Sequence, residues 1–104
     1  MITEYCSGEI FSPECRANEV IVMREAVYGL MHRGKCAVHG TELGCQKDMI
    51  EMFDSKCSNK KNCEVNVFMD LHSLEPPCPS GIVKFLEADY TCEQGIIFSY
   101  KLLM

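Results

Sequence analysis

At 104 residues with ordinary apolar content, the chain fits one domain and is short for a large core. Its net charge of −5 excludes a nucleic-acid binder, which needs a basic surface for phosphate contacts, and the pair Lys60-Lys61 is too short to change that. Eight cysteines (Cys6, Cys15, Cys36, Cys45, Cys57, Cys63, Cys78 and Cys92) are spread along the whole chain. Their even number reads as a disulfide framework in an exported protein, and a domain this small gains from such cross-links. Zinc knuckles of the CxxC kind are absent, since even Cys57 and Cys63 have five residues between them, so no metal is expected.

The start, Met1-Ile2-Thr3-Glu4, lacks the basic and apolar stretches of a signal peptide, so a secreted form is expected to be a mature or excised domain. Val20-Ile21-Val22-Met23 is a β-branched run that reads as a buried strand, ending in a turn at Tyr28-Gly29. Residues 30–45 hold Gly34, Gly40 and Gly44 among polar residues and read as a loop held by Cys36 and Cys45. From Gln46 to Lys56, Met49, Ile50 and Phe53 recur at helical spacing behind Asp48, which predicts a short amphipathic helix. Ser58 to Asn62 is a polar turn, and Cys63 to Val67 alternates as a half-buried strand should. Three prolines exclude regular structure from Leu74 to Gly81. The next run places Lys84, Leu86, Ala88, Tyr90 and Cys92 on one face. Leu86, Ala88 and Tyr90 are expected to face the core together with Val20 and Val22. The tail 94–104 is apolar but far short of a membrane span, and no Asn-x-Ser/Thr sequon occurs.

Catalytic chemistry finds little support. His32, His39 and His72 fall in predicted loops, outside any metal-binding or general-base spacing. No motif places two carboxylates for acid–base work, and an even cysteine count leaves no spare thiol as a nucleophile. No catalytic residue and no cofactor is therefore expected. The Tyr28-Gly29 turn and the Pro76-to-Lys84 loop are the candidate recognition elements, since a turn tyrosine offers an apolar face and a hydroxyl to a sugar ring. A core-edge tyrosine is the alternative reading.

The ordered set Cys6-x8-Cys15, Tyr28-Gly29, Cys36, Cys45, a helix, Cys57-Ser-Asn-Lys-Lys-Asn-Cys63, Pro76-Pro77-Cys78 and Lys84-Phe85-Leu86-Glu87-x-x-Tyr90-x-Cys92 resembles a known family. It is similar to the rhamnose/galactose-binding lectin domain of the sea-urchin-egg-lectin type, which also stands at the N-terminus of latrophilin-like adhesion receptors. The resemblance covers residues 5–93, leaving 94–104 as a C-terminal extension.

That resemblance implies a small disulfide-rich α/β (α+β) domain with an antiparallel sheet and a short helical segment. It implies the pairs Cys6–Cys36, Cys15–Cys92, Cys45–Cys78 and Cys57–Cys63, where the spacing alone leaves roughly a hundred connectivities open. It implies an extracellular module whose partner is a rhamnose- or galactose-type glycan, or a cell-surface protein if only the scaffold is kept. The ligand-binding residues it implies are Tyr28, Gly29, Gly81 and Lys84, with Ser7 and Glu75 at altered positions. Ser7 stands where the family carries Glu, Leu30 where it carries Arg, and Pro76 where it carries Asp, with Glu75 one step earlier. The element Gly81-Ile82-Val83-Lys84 is kept, one residue further from its cysteine. Two acceptor carboxylates are thus lost, and Glu75 or Glu9 are the candidates to replace them.

Overall fold

The computed structural model describes residues 2–32, 34–36, 44–72 and 84–94. In chain order the elements are β1 (Thr3–Tyr5), β2 (Ile10–Phe11), β3 (Glu19–Leu30), β4 (Cys45–Asp48), α1 (Ile50–Cys57), β5 (Val65–Asn66), α2 (Val67–Leu71) and β6 (Phe85–Gln94). β1, β6, β3 and β4 form one antiparallel sheet in that order, and β2 pairs with β5 in a second, two-stranded one. This is the α+β arrangement expected, with two short helices among the described residues where one was expected.

The long strand β3 organises the sheet. A bulge between Met23 and Glu25 divides it. Before the bulge Ile21 and Met23 are buried; after it Ala26 and Tyr28 are. The extra residue at the bulge moves the inward set from odd to even positions, because side chains alternate strictly along a strand. The register fixes this choice, since Ile21 faces Cys92, Met23 faces Tyr90, Ala26 faces Ala88 and Tyr28 faces Leu86. The expected burial of Leu86 and Ala88 is found, with Tyr90 packed at the edge of the same core. Val20 and Val22, expected to point inward, are only partly buried, and Ile21 and Met23 take their place. A continuous apolar run carries no alternation to fix its parity, so the cross-strand partners decide it.

The turn expected at Tyr28-Gly29 is also absent. Both residues lie inside β3 and pair on both sides, Tyr28 with Leu86 and Lys47, Gly29 with Phe85 and Gln46. Gly29 has φ of +155°. A Cβ there would collide with the carbonyl oxygen of Cys45 and lie 2.7 Å from the Cα of Gln46. Glycine here lets β4 approach closely; it does not reverse the chain.

The predicted helix starts later, at Ile50, and ends at Cys57. Its expected first residues form β4 instead, and Met49 donates its N–H to the carbonyl of Ala26 at 2.7 Å. The Asp48 carboxylate accepts from the Ile50 N–H at 2.9 Å, so the acidic start signal is real but sits two residues before the helix. Met49 and Phe53 are buried as their spacing predicts. The strand expected over 63–67 shrinks to Val65–Asn66, because α2 begins at Val67. Asn66 caps that helix through its side-chain oxygen, which accepts from the Met69 N–H at 2.9 Å, and Asp70 returns a bond to the Asn66 N–H at 2.7 Å.

The core centres on Phe11, whose ring meets Tyr5, Phe53 and Tyr90 edge-on at centroid distances of 5.1, 5.6 and 5.9 Å. Large side chains buried this fully contribute about 1.5–3 kcal/mol each. Leu30 and Phe85 form a separate small cluster with Met31, Cys36 and Cys45 at one end of the sheet. Disulfides join Cys6 to Cys36, Cys15 to Cys92 and Cys57 to Cys63, the pairs the resemblance implies. Cys45 is disulfide-bonded as well; Cys78, its expected partner, lies outside the described residues. The same holds for His39, for the Pro-rich stretch 74–81 and for the tail beyond Gln94.

Candidate functional site

Tyr28, Gly29 and Lys84 lie at the end of the sheet where β3 finishes and β4 and β6 begin. Tyr28 is only 4 % exposed, with its ring in the main core. Burial raises the Tyr28 phenol above its ordinary value, so it stays protonated and offers a neutral hydroxyl. The Lys84 ammonium lies over the ring, 6.0 Å from its centroid. Tyr28 and Lys84, far apart in sequence, are thus brought together. The tyrosine acts as a buried floor beneath the lysine rather than as an open stacking face. Gly29, beside it, lets the backbone of β4 close up to the floor.

Lys47 lies in the run whose spacing predicts a helix, so the sequence alone does not single it out. It stands directly opposite Tyr28 in the β3–β4 register and is exposed. Directly opposed residues of an antiparallel pair share a face, so this cation borders the same floor. The strand Cys45-Gln46-Lys47-Asp48 carries no apolar alternation, so nothing in its sequence marks it.

Ser7 lies in the turn closed by the Glu9 N–H donating to the Cys6 carbonyl at 2.9 Å. No described contact brings it to Tyr28 or Lys84. Glu9 is engaged within the same turn. Its carboxylate accepts from the Cys6 N–H at 2.7 Å and sits 3.0 Å from the Lys35 ammonium. The Cys6 N–H, then Lys35, hold its carboxyl below the usual glutamate range. Glu9 is therefore ionised, with part of its acceptor capacity already taken by Cys6 and Lys35. Glu75 and Gly81 lie outside the described residues.

The segment following β3 is tied down nearby. His32 Nε2 is 2.9 Å from Glu87 on β6, and its ring meets Phe85 edge-on. The Lys35 N–H donates to the Glu4 carboxylate on β1 at 3.2 Å. His72, the other described histidine, stacks on Phe68 at the end of α2 with ring centroids 4.4 Å apart. Among the described residues, one group of three metal-type ligands comes together, Cys6, Glu9 and Cys36. Its two sulfurs are joined to each other, so they are not thiolates able to hold an ion. No described helix is long and apolar enough to cross a membrane.

Comparison with known proteins identifies the family of the chain. Residues 13–92 match the model of the D-galactoside/L-rhamnose binding SUEL lectin domain. The chain is 32 % identical over 91 residues to latrophilin Cirl of Drosophila mojavensis, an alignment covering 84 % of this chain and 5 % of that protein. The chain thus spans a small part of the curated relative it matches. With the matched span reaching from Pro13 to Cys92 and three family disulfides in place, the chain belongs to the D-galactoside/L-rhamnose-binding SUEL lectin domain family.

Proposed function

We propose that the chain is an extracellular carbohydrate-binding module with a weakened sugar site at the β3–β4–β6 end. The observation that carries this reading is the Lys84 ammonium held over the buried Tyr28 ring beside Gly29, residues drawn together from distant parts of the chain. Lys84 donates to a sugar hydroxyl, and the Tyr28 hydroxyl borders the ring. The acceptor side is impoverished, with Ser7 and Pro76 where carboxylates serve the family and Glu9 bound within its own turn. Each lost charge-assisted bond costs roughly 1.5–3 kcal/mol. Free rhamnose or galactose is accordingly expected to bind with a Kd of about 1 mM or weaker, about 4 kcal/mol.

The test is an NMR titration of wild type and Lys84→Ala with both sugars. Saturable shifts around Tyr28 and Lys84 that disappear in the variant support the reading. Micromolar binding would mean that another group, such as Glu75, has replaced the lost acceptors. No shifts at high sugar concentration would favour the second reading, a protein-binding adhesion module on the same scaffold. That reading draws on Phe68 and Met69 of α2, 49 % and 64 % exposed, and on Ile10, whose strand pairs with Asn66 beside them.

A further inference from the structure

We propose that the end of the domain built around the Cys57–Cys63 loop is a second binding surface, which takes a sulfated polysaccharide through Arg16, Lys56, Lys60 and Lys61. The chain is acidic, with 15 Asp and Glu against 10 Lys and Arg, yet four of its cations gather here from two segments. The fold brings them together. The Cys15 N–H donates to the Lys61 carbonyl at 2.9 Å and the Ile21 N–H to the Lys60 carbonyl at 2.7 Å. The Asn59 N–H donates to the Ile21 carbonyl at 2.9 Å, and Glu14 bridges Asn62. The loop is closed by its own disulfide, and Asn59 takes the left-handed conformation, φ 70°, that turns it. The lysines therefore stand on a fixed frame, which lowers the ordering cost of binding.

All four cationic residues are exposed, and among the described residues none has a carboxylate within salt-bridge distance. Arg24 and Lys35, by contrast, are paired with Glu93 and Glu9. The acids nearby are Glu14, Glu19, Asp54 and Glu64. Glu19 accepts from the Arg16 N–H and Asp54 from the Ser58 hydroxyl, so both are turned to local partners. No acid interrupts residues 55–63.

The composition of the surface selects the ligand class. Protein-binding surfaces centre on aromatic or apolar anchors and are poor in lysine. Residues 58–62 are Ser, Asn, Lys, Lys and Asn, with no apolar side chain to anchor a protein or enter a lipid surface. Fixed, hydrated point charges suit a hydrated polyanion whose sulfates they meet one by one, with release of counterions.

The test measures binding of the whole chain to a heparin-derived oligosaccharide and to its desulfated counterpart at physiological salt. Lys60→Gln/Lys61→Gln is compared with Arg24→Gln, and thermal unfolding checks that each variant is folded. The sulfated chain alone should bind, the affinity should fall steeply with salt, and the double lysine variant should lose about tenfold, as expected for two exposed charge contacts. Arg24→Gln and an excess of free galactose or rhamnose should leave it unchanged, which separates this surface from the sugar site. Absence of binding, equal loss in Arg24→Gln, or equal binding of a polyglutamate chain would overturn the proposal.

Discussion

Gly29 and Gln46 face each other across β3 and β4 so closely that no side chain fits on the glycine. The obstruction is backbone, which a rotamer change cannot relieve. Gly29→Ala should therefore destabilise the domain by about 1–3 kcal/mol through crowding alone, with the strained φ adding to it. Urea unfolding monitored by circular dichroism measures this. A variant as stable as wild type would show that β4 moves away freely.

Phe11 is the hub of the core, in contact with rings from β1, α1 and β6 while itself belonging to β2. Phe11→Ala should cost about 3–5 kcal/mol, near the top of the range for a single core truncation. Phe68→Ala, on the exposed face of α2, should stay within about 0.5 kcal/mol. Denaturant midpoints for the two variants test the contrast.

Glu9 makes the turn after β1 sensitive to acid. Its folded pKa lies below the ordinary value of 4.5, first through the Cys6 N–H and then through Lys35. The stability it contributes is complete above that ordinary value and is lost as pH falls through the lowered folded one. Glu9→Gln should match wild type most closely at the acid end and fall behind it above pH 4.5. The carboxylate is solvent-exposed, so the difference is expected to be small and to shrink with added salt. Unfolding at a series of pH values measures it.

The disulfides should differ in weight according to the chain they close. Cys15 and Cys92 are 77 residues apart, Cys57 and Cys63 only 6. The chain-entropy model assigns about 4.5 kcal/mol to a loop of the first length and about 2.4 kcal/mol to the second. Other bridges shorten the effective loop, so the ranking is the prediction. Cys15→Ala/Cys92→Ala should lower the Tm more than Cys57→Ala/Cys63→Ala, as read by calorimetry.

Sequence reading succeeded where a pattern had one physical source. The alternation of Leu86, Ala88 and Tyr90 fixed the inward face of β6, and the spacing of Met49 and Phe53 fixed the buried side of α1. It failed where two causes leave the same trace. In sequence, a glycine that admits a neighbouring strand looks like one that turns the chain, and Tyr28-Gly29 carries that ambiguity. Val20-Ile21-Val22-Met23 has no polar member to set its parity, which the bulge and Cys92 determine from elsewhere. The capping exchange between Asn66 and Asp70 was present in the sequence but hidden by apparent alternation through Val67. At the site, Tyr28 and Lys84 were named from sequence, whereas the burial of the tyrosine and the proximity of Lys47 depend on pairings made across the sheet.

The length of β3 gives the domain a built-in ruler. Ile21 holds the cationic loop, and Tyr28 lies beneath Lys84 of the proposed sugar site, on the same strand. At about 3.3 Å per residue, less the local compression of the bulge, the two lie roughly 20 Å apart. That distance is within the span of a short oligosaccharide. On the two proposed sites, one glycan chain bearing a neutral terminus and sulfated interior residues would bridge both ends of a single domain. The millimolar grip proposed for the terminal sugar would then become an intramolecular event, strengthened by effective concentration rather than by any new contact.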